Sequence, residues 1–287
     1  MSTVDSIDAR ARFARRMQQE AGIRTPGLID GLAAVPREEF VGPGPWKIMR
    51  PATISKGYEI TPDGDPVHIY DNVLVALDAE RTLNNGEPLA LLRFLDLLSL
   101  AAGDRFLHIG CGVAYYTAIA AVAVGPGGHV TGIEIDASLA ERAKRNVAAR
   151  NNIEIVCSDG SAGISESFDA IFVNAGCTEI LPGWLDQLAI GGRLLLPLTV
   201  AWPTMPGIGG GFMLLTTRVA EDEYKARFVS PVGIFHCTGG RKDEGNVLLQ
   251  KSLASGNQWG VRRLRRDEHI ETADCWLHRS RGCLSLT

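Results

Sequence analysis

The sequence predicts an α/β fold: a doubly wound, Rossmann-like, mostly parallel sheet of seven strands, with an antiparallel C-terminal hairpin and an N-terminal helical extension. Between residues 88 and 198, short and almost wholly apolar runs alternate with helix-like segments, as in strands that helices cover on both faces. After residue 202, two strand-like segments follow one another across a short polar turn, which indicates an antiparallel pair.

The first 80 residues are predicted to form helices and loops that cap the substrate side. Residues 7–21 are rich in helix formers, and residues 26–34 begin with a proline, which suits the first turn of a helix. Prolines and glycines interrupt residues 36–45, and repeated turn signals in residues 46–71 indicate loops with one edge hairpin. The first 17 residues lack the apolar stretch of a secretory signal.

Residues 81–287 are predicted to form the catalytic domain, in which residues 203–287 supply closing strands and an extension. Helices are expected at 88–100, 114–124, 138–150, 181–190 and 246–254. Parallel strands are expected at 105–109, 129–136, 153–160, 168–176 and 193–198, the hairpin at 211–237, and closing strands at 275–280 and 283–287.

Composition excludes several classes of protein. Hydrophobic residues make up 45% and charged residues 22%, which is a globular and not a disordered balance. The net charge of −4 provides no field for a nucleic acid, and the longest apolar stretch, residues 114–124, is too short to span a bilayer. The sequence carries no signal for the oligomeric state.

The cysteines and histidines predict a reducing, cytoplasmic location and no metal site. None of the six cysteines forms a C-x-x-C pair, so a zinc ribbon is not supported, and scattered cysteines are typical of reduced thiols. His68, His236 and His278 lie far apart in the sequence without ligand spacing.

The strongest site signal is the glycine turn Gly110-Cys111-Gly112 between a predicted strand and a predicted helix. Glycines let a ligand approach the backbone, and a helix N-terminus offers unpaired N–H groups to an anion. The third glycine of a dinucleotide fingerprint would fall at Tyr115, which argues against NAD.

Polar side chains close the next three strands. Glu134 follows the glycine turn by about 20 residues, where a carboxylate can accept from both ribose hydroxyls or be a solvated strand end. Asp159-Gly160 can accept from an adenine amino group or form a plain turn, and Asn174 ends the fourth strand. Asp136 is expected to cap the next helix. Because ligands bind outside the carboxyl ends of such strands, we expect this edge to be the site.

Several stretches carry a family resemblance. "VPREEFV" at 35–41, "FDAIFVNAG" at 168–176 and "LPGWLDQLAIGGRLLLPL" at 181–198 resemble protein-L-isoaspartate O-methyltransferases, within the class I S-adenosylmethionine-dependent methyltransferases. "LHIGCG" and "CSDGSAG" occupy cofactor motifs that the whole class shares. The resemblance implies S-adenosylmethionine as cofactor and methylation of an isoaspartyl carboxylate in damaged proteins.

The resemblance also implies site residues. Cofactor contacts are expected from Leu83, His108, Gly110, Cys111, Gly112, Tyr115, Glu134, Ile135, Asp159, Gly160 and Asn174. The family's Thr-Ile-Ser-Gln-Pro stretch corresponds to residues 82–86, so Asn84, with Thr82 beside it, stands where the family's serine contacts donor and acceptor. Asn84 can orient a carboxylate, or residues 84–86 can be only a tight turn. His108 replaces the usual acid before the glycine turn, and Ala114 replaces the last glycine of the loop.

The implied reaction is direct, in-line transfer to a carboxylate that is already nucleophilic near pH 7, so positioning matters more than a general base. Asn84 and the long segment 46–71 leave open another acceptor, a small metabolite or a modified peptide. His108 and the missing serine leave open a non-catalytic S-adenosylmethionine-binding module. A metal-dependent catechol-type enzyme is less favoured, since no acid pair follows the fourth strand.

Overall fold

The computed structural model describes residues 3–162, 164–205, 207–279 and 282–287, with side chains from Ser6 onward. It forms two compact units. The first unit comprises Met1–Asp104, Cys111–Gly132 and Asp136–Cys157, and the second comprises Arg105–Gly110, Ile133–Ile135 and Ser158–Thr287. The predicted boundary at residue 80 stays a prediction.

The described helices and strands follow in chain order. The α-helices are α1 (Thr3–Ala21), α2 (Pro26–Ala34), α3 (Arg37–Val41), α4 (Pro88–Leu97), α5 (Tyr115–Val124), α6 (Ala137–Val147), α7 (Pro182–Asp186) and α8 (Asp243–Ser255). The strands are β1 (Lys47–Met49), β2 (Glu59–Ile60), β3 (Leu74–Asp78), β4 (Leu83–Asn84), β5 (Arg105–Ile109), β6 (His129–Glu134), β7 (Ile153–Cys157), β8 (Phe168–Val173), β9 (Leu188–Ala201), β10 (Ile208–Ala220), β11 (Glu223–Phe235), β12 (Arg263–Arg265), β13 (Cys275–Leu277) and β14 (Cys283–Ser285).

The predicted α/β class and the seven predicted strands are confirmed within a longer sheet. Over the described residues the order is β13-β14-β12-β11-β10-β9-β8-β5-β6-β7. Strands β13 and β14 lie within the two predicted closing strands, whereas β12 was not predicted. Strand β8 pairs in parallel with β5 and β9, whereas β10 pairs antiparallel with β9 and β11, as the hairpin prediction required. Among the described residues, no helix has both the length and the apolar character that a bilayer crossing requires.

In the first unit, α2 packs closely against α5. A Cβ on Gly27 would lie 2.6 Å from the Ala123 Cα, and a Cβ on Gly31 would lie 2.7 Å from the Ile119 carbonyl oxygen. Both glycines are therefore required by helix packing and not by a turn.

Arg37, the first residue of α3, binds the backbone of residues 69–73. Its side chain is fully buried and donates to the carbonyl oxygens of Ile69 (2.7 Å), Val73 (2.8 Å) and Asp71 (3.2 Å). These bonds give the "VPREEFV" stretch a structural role, because the guanidinium satisfies carbonyls that would otherwise be buried without partners.

Two sequence expectations differ in detail from the structure. Within residues 46–71, β1 and β2 form the expected antiparallel hairpin. The unpredicted strands β3 and β4 extend it to a sheet in the order β2-β1-β3-β4, in which Asn84 pairs with Ala76. The helix expected over 181–190 ends at Asp186, and β9 already begins at Leu188 because it pairs there with Phe168 of β8.

Candidate functional site

The second unit brings the carboxyl ends of β8, β5 and β6 together. The Gly110 N–H donates to the Ile133 carbonyl (2.8 Å), and the Asn174 N–H donates to the Ile109 carbonyl (2.8 Å). Gly110 has φ +76°, and a Cβ there would lie 3.2 Å from the Asn174 carbonyl oxygen. The predicted neighbours Gly110, Glu134 and Asn174 therefore do end adjacent strands, and Gly110 requires glycine for both conformation and space.

The end of β6 presents an acid beside an exposed apolar side chain. Glu134 is 7% exposed, and its carbonyl accepts from the Ser158 N–H (3.1 Å). Ile135 follows with 49% of its surface exposed. A carboxylate suits ribose hydroxyls and an exposed aliphatic side chain suits the face of a base, so the pair has the chemistry of a nucleoside contact.

Asp159 closes a turn, which is one of the two roles considered from its sequence, and the other role stays a prediction. Its Oδ1 accepts from the Ser161 N–H (2.9 Å), which closes a turn, and its other carboxylate oxygen retains acceptor capacity. A Cβ on Gly160 would overlap Ile109, so the turn also needs a glycine there.

Sequence reasoning missed Gly239, which lies against Asp159. A Cβ on Gly239 would come within 2.5 Å of Asp159 Oδ1 and would overlap Ser161 Oγ. The two glycines of "CTGG" were the only signal in the sequence, because about 80 residues separate this segment from Asp159.

His108 is a core residue, contrary to its predicted contact with the cofactor. Its side chain is 1% exposed and stacks with Phe172 at 5.2 Å between ring centroids. Burial lowers its pKa to about 3, so the imidazole stays neutral. A side chain sealed inside β5 has no surface for a ligand, and we remove it from the candidate site.

In the first unit, the chain after Cys111 forms the turn that starts α5. Gly112 has φ +58°, and a Cβ there would meet no atom within 4 Å. Ala114 keeps a left-handed backbone with φ +68° at the position of the missing glycine. An open glycine backbone beside a ten-residue helix fits a ligand that approaches main-chain atoms.

The Tyr115 side chain, which the sequence allowed either to contact the cofactor or to pack in the core, packs in the core. It is 1% exposed, packs edge-on to Tyr116 at 5.0 Å, and lies under the Arg37 guanidinium at 5.8 Å. Burial raises its pKa to about 12. Cys111 is 6% exposed, which leaves its backbone as the available contact.

The loop at Thr82–Asn84 is strained and bonded to itself. Thr82 has φ +57°, which is unusual for a β-branched residue and is found at functional sites. Asn84 Oδ1 accepts from the Gly86 N–H (2.8 Å), and its Nδ2 donates to the Thr82 carbonyl (3.3 Å). Asn84 therefore closes the tight turn that the sequence allowed, and it remains partly exposed together with Leu83.

Three neighbours of this loop were not found from the sequence. Arg81 donates to Asp78 (2.7 Å) and to Asp136 (2.6 Å), while Asp136 accepts from the Leu139 N–H (3.0 Å) as the predicted cap of α6. The Tyr58 hydroxyl donates to the Thr82 carbonyl (3.3 Å).

Asn85 is buried, and its Nδ2 has no hydrogen-bond partner. A buried donor of this kind, next to Asn84, is available to a carbonyl or carboxylate oxygen.

The second unit also gathers four histidine and cysteine side chains that the sequence did not bring together. In the sequence His278 shows no ligand spacing with His68 or His236. The structure instead places His278 beside three other histidine and cysteine side chains at the C-terminal end of the second unit. The four residues are His269, Cys275, His278 and Cys283.

Comparisons with known proteins give a consistent result. The family model "Protein-L-isoaspartate(D-aspartate) O-methyltransferase (PCMT)" matches residues 10–202. A protein-L-isoaspartate O-methyltransferase of Methylorubrum extorquens is 31% identical over 79% of this chain and 87% of its own length. That of Thermotoga maritima is 30% identical over 61% of this chain, which spans about half (52%) of that relative.

Solved structures share the fold. A protein-L-isoaspartate O-methyltransferase gives a TM-score of 0.62 at 22% identity, covering 92% of this chain and 74% of that chain. A putative Plasmodium falciparum enzyme of the same name, in complex with S-adenosyl-L-homocysteine, gives a TM-score of 0.61 at 16% identity. That match covers 80% of this chain and 98% of the Plasmodium chain.

Proposed function

The chain belongs to the protein-L-isoaspartate(D-aspartate) O-methyltransferase family, and on that premise we propose that it methylates an isoaspartyl carboxylate of a peptide or protein. Its cofactor is S-adenosylmethionine. The observation that carries the proposal is the adjacent strand ends with Gly110, Glu134 and Asn174, where the family places its cofactor motifs. From its cysteine usage we also propose a cytoplasmic location.

Within the second unit, each proposed contact follows from the chemistry of its group. Glu134 accepts from the ribose hydroxyls, and Ile135 packs on the base. Asp159 accepts from the adenine amino group, held in place by its bond from Ser161, and Gly160 allows the turn. Asn174 and Gly110 present backbone and amide groups at the neighbouring strand ends.

Within the first unit, the proposed contacts come from the backbone. Cys111 and Gly112 offer main-chain atoms without obstruction from a side chain, since a Cβ at Gly112 meets nothing within 4 Å. Leu83 contributes a partly exposed apolar side chain beside Asn84.

S-adenosylmethionine, when bound, supplies a methyl group on a positively charged sulfur. The chain has to orient the acceptor carboxylate and exclude water, because an ordinary aspartyl-type carboxylate, with a pKa of about 4, is ionised at neutral pH. Orientation and avoided solvent reorganisation can supply about 7–11 kcal/mol of the barrier. No residue needs to remove a proton.

Asn84 is the proposed acceptor-orienting residue, with Thr82 fixing its position. The Asn84 Oδ1 is engaged by the Gly86 N–H. The amide nitrogen donates to the Thr82 carbonyl at 3.3 Å and to the Tyr58 hydroxyl, and it is the group that can turn from these partners toward an acceptor oxygen. The unpartnered Nδ2 of Asn85 provides a second donor beside it.

The test is transfer of labelled methyl from S-adenosylmethionine to an isoaspartyl peptide, with the same peptide carrying normal aspartate as control. We expect transfer to the isoaspartyl peptide alone. Equal labelling of both peptides, or of neither, would overturn the isoaspartyl assignment.

Three variants sharpen the test. Asn84→Asp keeps the Oδ1 that accepts from the Gly86 N–H, but it replaces the amide donor with a negative charge that repels the acceptor carboxylate. We therefore expect transfer to fall by at least about tenfold with cofactor affinity unchanged. Asn84→Ser introduces the family's residue and should retain activity. Asn151→Ala, in an exposed turn of the same unit, is the matched control.

A second acceptor is favoured by one observation. Residues 46–84 form a four-stranded sheet that carries Asn84 at its edge, where the sequence resemblance alone indicated a longer segment than the family's. A small carboxylate or one modified peptide would fit a more specific acceptor site. Transfer to the isoaspartyl peptide that is lost in Asn84→Asp would count against this alternative.

A further inference from the structure

The C-terminal end of the second unit gathers two histidines and two cysteines. One ligand atom from each of His269, Cys275, His278 and Cys283 lies within 4.8 Å of all the others. Cys275 and Cys283 belong to the paired strands β13 and β14, and His278 directly follows β13. His269 comes from the loop after β12.

The spacing of these atoms suits a tetrahedral metal. Zinc binds sulfur at about 2.3 Å and nitrogen at about 2.0–2.1 Å, so the ligand atoms of a tetrahedral site lie roughly 3.3–3.8 Å apart. The His269 Nε2 lies 3.5 Å from the Cys275 Sγ, inside that range. The widest separation, 4.8 Å, exceeds it by about 1 Å, which small side-chain rotations can close.

His269 is held in the tautomer that a metal requires. Its Nδ1 is 2.9 Å from the Asp267 carbonyl oxygen, which can only accept, so Nδ1 carries the hydrogen. The lone pair of Nε2 therefore faces the Cys275 sulfur. Metal-binding histidines usually donate their other ring N–H to a carbonyl or carboxylate in this way.

The other three groups have the surroundings of ligands. The Cys275 sulfur accepts from the Thr272 N–H at 3.4 Å, a bond that favours a thiolate. Cys283 is fully buried. The Nδ1 of His278 is buried without a hydrogen-bond partner, which leaves a polar atom unexplained unless something binds it.

We propose that His269, Cys275, His278 and Cys283 bind one Zn²⁺ ion in a closed, structural site. Two thiolates and two neutral imidazoles balance the charge of the ion, and four protein ligands leave no open position for catalysis. The soft N₂S₂ donor set selects zinc over magnesium or calcium. The site lies beyond residue 202, where the family match ends, so membership of the family does not imply it.

The physical role follows from the strands that the site joins. Strands β12, β13 and β14 are three residues each, so few backbone pairs hold this end of the sheet although most of its side chains are buried. A metal that links the loop after β12 to the β13–β14 pair stabilises this edge of the sheet, because its binding free energy becomes folding free energy.

The test measures metal in the full-length protein, purified under reducing conditions, loaded with zinc chloride and dialysed. We expect about one equivalent of zinc by elemental analysis, with release on titration of the thiols by a mercurial. Cobalt chloride loaded instead should give the visible absorption of a tetrahedral cobalt–thiolate site. Retention of less than about 0.1 equivalent, with no cobalt spectrum, would overturn the proposal.

Variants separate ligands from bystanders. Cys275→Ser and His278→Ala should each lose most of the zinc, whereas Cys157→Ser, an exposed cysteine outside the cluster, should retain it. Thr272→Val keeps the fold and the ligands but removes a bond to the sulfur, and we expect roughly tenfold weaker zinc binding. Zinc content that is equal in wild type, Cys275→Ser and Cys157→Ser would refute the site.

An oxidised Cys275–Cys283 pair is the competing state. The disulfide would appear in the mass of protein prepared without reductant as a loss of two hydrogens. If the disulfide is the native state, the same protein should fail to bind zinc after its reduction. This outcome would replace the metal site with a disulfide. Neither result depends on methyl transfer, so failure of the zinc proposal can be distinguished from failure of the proposed function.

Discussion

The stability of the protein should depend on pH through one buried histidine. His108 is fully buried in β5, and burial lowers its pKa to about 3, whereas an unfolded histidine has a pKa of about 6.5. Below pH 6.5 the unfolded chain binds a proton that the folded chain does not. The free energy of unfolding therefore falls as the pH drops from about 6.5 toward 3.

The expected size follows from the two pKa values. Between pH 7 and pH 5, His108 alone lowers the free energy of unfolding by about 2 kcal/mol. For a chain of 287 residues this corresponds to about 3 °C in the thermal midpoint. His108→Leu should remove this part of the pH dependence, since leucine does not titrate.

The assay is urea and thermal unfolding of both proteins at pH 7 and pH 5. Phe106→Leu is the matched control, because it damages the same buried strand without removing a titratable group. It should lower stability at both pH values and keep the wild-type difference between them. If His108→Leu keeps the full difference as well, the imidazole is not the neutral core group described above.

Four further outcomes are expected. Glu134→Gln should weaken S-adenosylmethionine binding by about 1–3 kcal/mol in calorimetry, and an unchanged Kd would exclude the ribose role. Gly239→Ala should displace Asp159 and weaken that binding at least about tenfold, whereas Gly183→Ala, where a Cβ meets nothing, should not. Arg37→Met should cost at least about 3 kcal/mol of stability in urea unfolding, because three carbonyls lose a charged donor; a cost below 1 kcal/mol would contradict this. Removal of zinc by a chelator should lower the thermal midpoint of the wild type but not that of Cys275→Ser.

The parts of the fold that the sequence predicted best are governed by local patterns. Helix α2 has the predicted bounds, Pro26–Ala34, because proline fixes its first turn and its apolar spacing is helical. Strands β5 to β9 are nearly continuous apolar runs, which are typical of a sheet that helices cover on both faces. Strands β3 and β4, which extend the expected hairpin of β1 and β2, escaped prediction because they are five and two residues long and pair irregularly, as Ala76 does with Asn84.

The candidate site was predictable where it follows strand ends and not where it depends on distant partners. Glu134 and Asn174 were identified from position alone. The burial of the His108 and Tyr115 side chains could not be predicted, since adjacency to the glycine turn does not reveal that their rings point into cores. The cluster of His269, Cys275, His278 and Cys283 could not be predicted, because its histidines and cysteines alternate along a loop and a strand pair, without the paired spacing of a zinc ribbon.

The region after Trp202 does more than extend the sheet. The Gly176 N–H, just after β8, donates to the Phe235 carbonyl, and the Arg241 guanidinium donates to the carbonyls of Gly176 (3.1 Å) and Thr199 (3.0 Å). These bonds fix the backbone between residues 235 and 241, and Gly239 lies in that stretch against Asp159. A segment outside the family match thus sets the position of a proposed adenine-binding carboxylate. Arg241→Met should therefore weaken cofactor binding although Arg241 itself is not a proposed ligand, and unchanged affinity would show that the segment only closes the sheet.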